Sequence, residues 1–187
     1  MFALSRAATY LTSVFLTSIC FWVANTSAAE TLPTVSQIDL DRYTGRWFEI
    51  SRLPMWFERN CVSDISANYT RRSDGRIDVV NRCHTQNDDI SAQGIAETPE
   101  ASKPGQLRVR FAPDWLAWLP MVWGDYWIID LDPDYQWVLV GAPSRNYLWI
   151  LARTPALDIK TVESLKQKAQ ALGFKTTDMV DVTNSNR

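Results

Sequence analysis

Cys61, Cys83 and His84 are the side chains best suited to covalent chemistry, since a thiolate is a nucleophile and a nearby imidazole can take and return its proton. His84 is the chain's single histidine and stands beside Cys83 in a polar turn. A Cys-His or His-Ser-Asp relay needs partners held by further side chains, and the surrounding sequence suggests none. His84 is therefore expected to be a solvated loop residue. One histidine and a cysteine pair also fall short of a zinc site. Asp88 and Asp89, or Asp130, Asp132 and Asp134, offer carboxylates without the ligand spacing of a calcium loop, and aspartate is ordinary at turns. A glycine-rich phosphate loop is missing as well. The expected chemistry is binding, with no catalytic residue, no metal and no cofactor.

Composition narrows what is bound. Nineteen basic and 21 acidic residues are interspersed for a net charge of −2, which lacks the field needed to hold nucleic acid. Residues 1–29 read as an export signal: Arg6 precedes an apolar run from Tyr10 to Val23, and Ser27-Ala28-Ala29 offers a small-residue cleavage site. The competing membrane anchor would need a longer run without its Thr and Ser interruptions. A lipid anchor on Cys20 would need a small residue where Ile19 stands. Residues 30–187 then form one domain. Within it Cys61 and Cys83 are an even pair in an oxidising compartment, so a disulfide is expected, with two free buried thiols as the alternative. Nine tryptophans, all but Trp22 in this domain, suit a wide apolar cavity or mouth.

Alternating apolar and polar residues place strands at 47–52, 65–70, 77–82, 90–96, 107–111, 126–131, 136–141 and 147–152. Asp74-Gly75 marks a hairpin. In 107–111 the apolar residues are expected on a core face, with Arg108 and Arg110 on a wet one. Residues 53–62 and 112–124 read as loops, unusually rich in exposed apolar bulk. A helical turn is expected within 38–43. One late helix starts at a capping Asp158, repeats Ile159, Val162, Leu165, Ala169 and Leu172, and stops at Gly173. Residues 174–182 are expected to return as a short strand beside the first. Together these predict an all-β protein: an eight-stranded up-and-down antiparallel barrel with one C-terminal α-helix packed outside, wide enough for one small ligand.

Gly45-Arg46-Trp47 near the start, Asp132 between two late strands, and Arg153 ending the last one resemble the lipocalin family, over about residues 38–182. The resemblance implies that Gly45, Trp47, Asp132 and Arg153 gather at a closed end, where the guanidinium lies across the indole. Leu131-Asp132-Pro133, with Tyr135 arriving later, departs from the family pattern at that corner. Loops 53–62, 84–89, 112–124 and 142–146 then lie at the open end. Trp56, Phe57, Trp115, Trp118 and Trp123 would ring the mouth, and a Cys61–Cys83 bridge would require a bulge or bend. Alternation points Tyr69, Val79, Phe111, Tyr126, Tyr147 and Trp149 into the cavity. Tyrosine hydroxyls, Arg145 or loop backbone near the mouth would take a carboxylate or phosphate head group.

The function so implied is binding and storage or transport of small lipophilic ligands such as fatty acids or lysophospholipids. The setting is the periplasm of a Gram-negative bacterium, with outer-membrane association and a monomeric or weakly dimeric state. Two other readings are carried: an isomerase-type enzyme on the same barrel using Cys61 as a nucleophile, and a membrane-surface module whose 112–124 loop dips into head groups.

Overall fold

Parity along each strand decides which residues meet. The computed structural model describes residues 31–185. In it, helix α1 (Leu40–Tyr43) leads into strand β1 (Gly45–Arg52), followed by β2 (Ser63–Arg71), β3 (Ile77–His84), β4 (Asp89–Glu97), β5 (Gln106–Arg110), β6 (Gly124–Leu131), β7 (Trp137–Gly141) and β8 (Leu148–Ala152). Helix α2 (Ile159–Ala171) and a two-residue strand β9 (Val180–Asp181) complete the fold. Each strand pairs antiparallel with the next, β8 pairs with β1, and β1 with β2, so eight strands close into a ring; β9 is added on β1. The export signal and Cys20 lie outside the described residues.

Because neighbouring side chains point to opposite faces, the strands divide their apolar residues between two cores. Trp47, Ile128, Val138, Val140 and Leu151 pack inside the ring with Tyr43 and Tyr69. Phe48, Ile50, Leu139, Leu148 and Ile150 pack on its flank under Val162, Leu165 and Ala169 of α2. The α2 start is capped by Asp158, whose carboxylate accepts from the Thr161 amide at 2.9 Å. Its end is a Schellman turn: Gly173 takes φ +88°, and the Phe174 amide reaches back to the Ala169 carbonyl at 3.1 Å. The chain after it forms a single 3-10 turn at Thr176–Asp178, so the expected return strand shrinks to two residues.

The sealed end is held by one arginine. Trp47 is fully buried and donates its indole N–H to the Tyr43 carbonyl at 2.8 Å. The Arg153 guanidinium lies 3.8 Å over that ring and donates to the carbonyls of Tyr135, Arg46 and Arg42 at 3.2, 3.0 and 2.6 Å. Gly45 has φ +93°, and a Cβ there would stand 3.3 Å from the same guanidinium, so the position suits glycine on both counts. Asp132 accepts from the amides of Asp134 and Gln136, and Tyr135, at φ 60°, places its hydroxyl to accept from the Asp39 amide at 2.8 Å. The departure at Pro133 therefore shifts the tyrosine without opening the corner. Arg153→Met, which keeps an apolar stem over the indole, is expected to lower stability by about 2 kcal/mol through the lost carbonyl bonds and stacking, measured by urea unfolding.

Two local expectations are corrected. Arg110 is 3 % exposed rather than wet, because loop 112–123 folds back over it: its guanidinium pairs with Asp114 and lies 5.2 Å from the Trp123 ring centre. His84 ends β3 instead of sitting in a turn, with Nδ1 at 2.8 Å from Asp89 Oδ1 on the paired strand.

Candidate ligand-binding cavity

The ring encloses a cavity of about 890 Å³. Its sealed end carries the phenols of Tyr43, Tyr69 and Tyr126; Ile77, Val79, Leu107 and Val109 line its walls; Trp56, Phe57, Phe111, Trp123 and Tyr147 stand toward the loops. Of the residues expected to line it, Trp56, Phe57, Tyr69, Val79, Phe111, Tyr126, Tyr147 and Trp149 do border this space. Trp115 and Trp118 do not: they stand on the outer surface of loop 112–123, 73 % and 76 % exposed. Arg145 is not on the lining; its Nε donates to the Leu172 carbonyl just after α2 at 3.2 Å.

Two clusters of polar side chains stand at different levels of the cavity. At the sealed end the Tyr126 hydroxyl stands between those of Tyr43 and Tyr69, at 2.7 and 3.0 Å. Burial pushes all three phenols well above their ordinary pKa, so they remain neutral hydroxyls. Three hydroxyls sharing two bonds leave one O–H able to donate to a polar atom of a guest.

Higher up, Glu49, Arg52 and Glu58 form a cluster that sequence reading missed. A register shift between β1 and β8 pairs Glu49 with Leu151 but Ser51 with Ile150, so Arg52 comes opposite Trp149. That bulge puts Glu49 and Arg52, three apart, on one face of the strand. Arg52 Nη1 donates to Glu49 Oε1 at 2.8 Å. Its Nε lies 3.2 Å from Glu58 Oε2, close enough for Coulombic pairing but not aligned as a hydrogen bond. Burial and the Glu58 charge push the Glu49 carboxyl up to about 8, against the lowering effect of Arg52. Burial also raises Glu58, opposed by Arg52 and by a hydrogen bond with the Trp149 side chain. Glu49 could have been found from parity alone, since it lies two residues beyond Trp47; Glu58 could not, because only the fold of loop 53–62 brings it in.

Cys61 and Cys83 are joined by a disulfide, with Cα atoms 5.6 Å apart. The bulge needed for it lies between Ser63 and Ser66, where Asp64 takes φ 52° and the β2–β3 pairing slips. Bonded in this way, Cys61 offers no thiolate. The bridge spans a sequence separation of 22. Closing a loop of that size constrains the unfolded chain, so the double variant Cys61→Ala, Cys83→Ala is expected to lose about 3 kcal/mol, read from its denaturation midpoint. Among the described residues no group of three or more His, Cys, Asp or Glu side chains could hold a metal ion.

A closed ring of eight meandering strands, plugged at one end by an indole under an arginine and hollow toward the other, defines the class of up-and-down barrels that hold one small molecule. The chain belongs to the lipocalin family: the family model for the lipocalin-like domain matches residues 38–184. It is 38 % identical over 145 residues to temperature-induced lipocalin-1 of Arabidopsis thaliana, covering 76 % of this chain and 77 % of that protein. It is 31 % identical over 156 residues to the outer membrane lipoprotein Blc of Vibrio cholerae, covering 82 % and 86 %, and 31 % identical over 142 residues to apolipoprotein D of Rattus norvegicus, covering 72 % and 70 %. Among solved structures, insecticyanin from the tobacco hornworm Manduca sexta superposes with a TM-score of 0.64 at 17 % identity, over 82 % of this chain and 85 % of that one. At that identity the likeness concerns the fold.

Proposed function

We propose that the protein binds a single-chain lipophilic molecule, a fatty acid or a lysophospholipid, inside the barrel and stores or carries it without chemical change. The observation that supports this best is the cavity itself. Its volume of about 890 Å³ falls within the range of roughly 300–1,000 Å³ usual for small-molecule sites, and its lining is chiefly aliphatic and aromatic. An acyl chain gains about 0.8 kcal/mol for each methylene taken from water, so a largely apolar chamber suffices for useful affinity.

Export to the periplasm of a Gram-negative bacterium, after removal of residues 1–29, is part of the same reading. The disulfide suits an oxidising compartment, and the Vibrio cholerae relative is named an outer membrane lipoprotein, whereas the plant relative leaves the bacterial setting open. No helix of the described residues is long and apolar enough to cross a membrane. Contact with a membrane surface would fall to Trp115, Trp118 and Met121, which project from loop 112–123 at 73 %, 76 % and 83 % exposure. Vesicle co-sedimentation should then fall when Trp115 and Trp118 are both alanine; equal sedimentation with the parent removes the contact. The protein is proposed to act as a monomer or weak homodimer. Native mass spectrometry of gently purified protein, with solvent extraction, tests the binding function: one co-purifying single-chain lipid per chain is expected. A hydrophilic co-purifying compound in the barrel would refute it.

A further inference from the structure

The cavity wall is charged unevenly. Glu49 and Glu58 both line the cavity, while Arg52, the one cation between them, stands behind and does not. Next to this carboxylate pair runs a continuous series of aromatic rings. Trp149 stacks on Tyr147 at 6.2 Å with planes 12° apart, Tyr147 meets Phe57 at 6.0 Å, and Phe57 meets Trp56 edge-on at 5.7 Å. All four rings border the cavity. Elsewhere the protein lays its own arginines over aromatic faces, at Trp47, Tyr135, Phe48 and Trp123. The arginines over those rings are Arg153, Arg42, Arg46 and Arg108.

We propose that Glu58 and Glu49, with the faces of Trp149, Tyr147, Phe57 and Trp56, form a head-group site for an alkylated ammonium, so that the preferred guest is a single-chain amphiphile with a cationic nitrogen. The inference rests on the reading of the cavity as a lipid site and adds the chemistry of the head group. Ring faces carry partial negative charge and attract a poorly hydrated cation, and a nearby buried carboxylate supplies the formal charge. A fatty carboxylate in the same place would face two acids. The other charged residues on the lining do not reverse this: Arg110 is already paired with Asp114, and Arg82 and Asp125 are exposed. The Glu49 carboxyl, raised by burial, gives up its proton when the cation arrives, so affinity for the ammonium rises with pH toward 8.

The test is displacement of a fluorescent hydrophobic probe at pH 8 by dodecyltrimethylammonium, dodecanoate and 1-dodecanol, each kept below its aggregation range. The ammonium should bind at least about tenfold more tightly than the carboxylate, with the alcohol between them. Glu58→Gln should bring the ammonium close to the alcohol and leave the alcohol unchanged. Tyr147→Leu should weaken the ammonium more than the alcohol, and it decides the matter if Glu58→Gln fails to fold by near-ultraviolet circular dichroism. A carboxylate that binds as tightly as the ammonium, or a preference that survives in the folded variants, overturns the head-group site while leaving the lipid cavity standing. Absence of binding by all three overturns both.

Discussion

Trp47→Ala is expected to lower the free energy of unfolding by about 3–5 kcal/mol, the usual cost of deleting a large buried aromatic. The indole is fully buried, its ring centre is 5.2 Å from that of Tyr43, and it is the surface on which Arg153 lies. Removing it leaves a void beside the sealed end and takes the packing partner from a guanidinium that ties residues 42, 46 and 135 together. Urea unfolding followed by far-ultraviolet circular dichroism measures the loss. Trp115→Ala is the control, because that indole is 73 % exposed and its removal should change stability by under about 0.5 kcal/mol. Similar losses in the two variants would show that the plug at the sealed end does not hold the barrel.

The second large effect is a dependence of stability on pH. The Glu49 carboxyl is raised from an ordinary 4.5 to about 8 by burial and by the neighbouring Glu58. Between these values the folded protein holds a proton that the unfolded chain has released. Stability from this group is therefore fully present below about pH 4.5, falls as pH rises, and levels off above about pH 8. The full span is on the order of 5 kcal/mol. Unfolding at a series of pH values should show this decline in the parent, and Glu49→Gln should make it shallower, with the part due to the buried Glu58 remaining, and be the more stable of the two above pH 8. A flat profile in the parent would mean that Arg52 holds Glu49 ionised throughout.

Much of the fold is legible because it depends on local rules. Alternation along residues 136–141 and 147–152 assigns Val138, Val140 and Leu151 to the interior and Leu139, Leu148 and Ile150 to the flank under α2. Asp158 and Gly173 bracket that helix by capping and by a left-handed turn. The resemblance carried by Gly45, Trp47, Asp132 and Arg153 supplies polarity, which periodicity alone does not. What escaped depends on register and loop shape. The bulge that turns Arg52 onto the face of Trp149 is a property of how two strands pair, and no residue in 49–52 announces it. Trp115 and Trp118 differ from Trp123 only in how two 3-10 turns aim them, so all three look alike in sequence. Arg110 looks like a wet strand residue until the loop that buries it is in place.

Ala67 offers the most direct approach to the cavity, since it pairs with Trp47 across β1 and β2 and borders the hollow. Titration of a fluorescent single-chain lipid into the parent and into Ala67→Trp, both checked for cooperative unfolding, compares an open interior with a filled one. Saturable binding at one site in the parent, weakened at least about tenfold in the filled variant, is the expected result. Equal affinity in the two proteins would place the lipid outside the barrel and contradict the interior as its binding site.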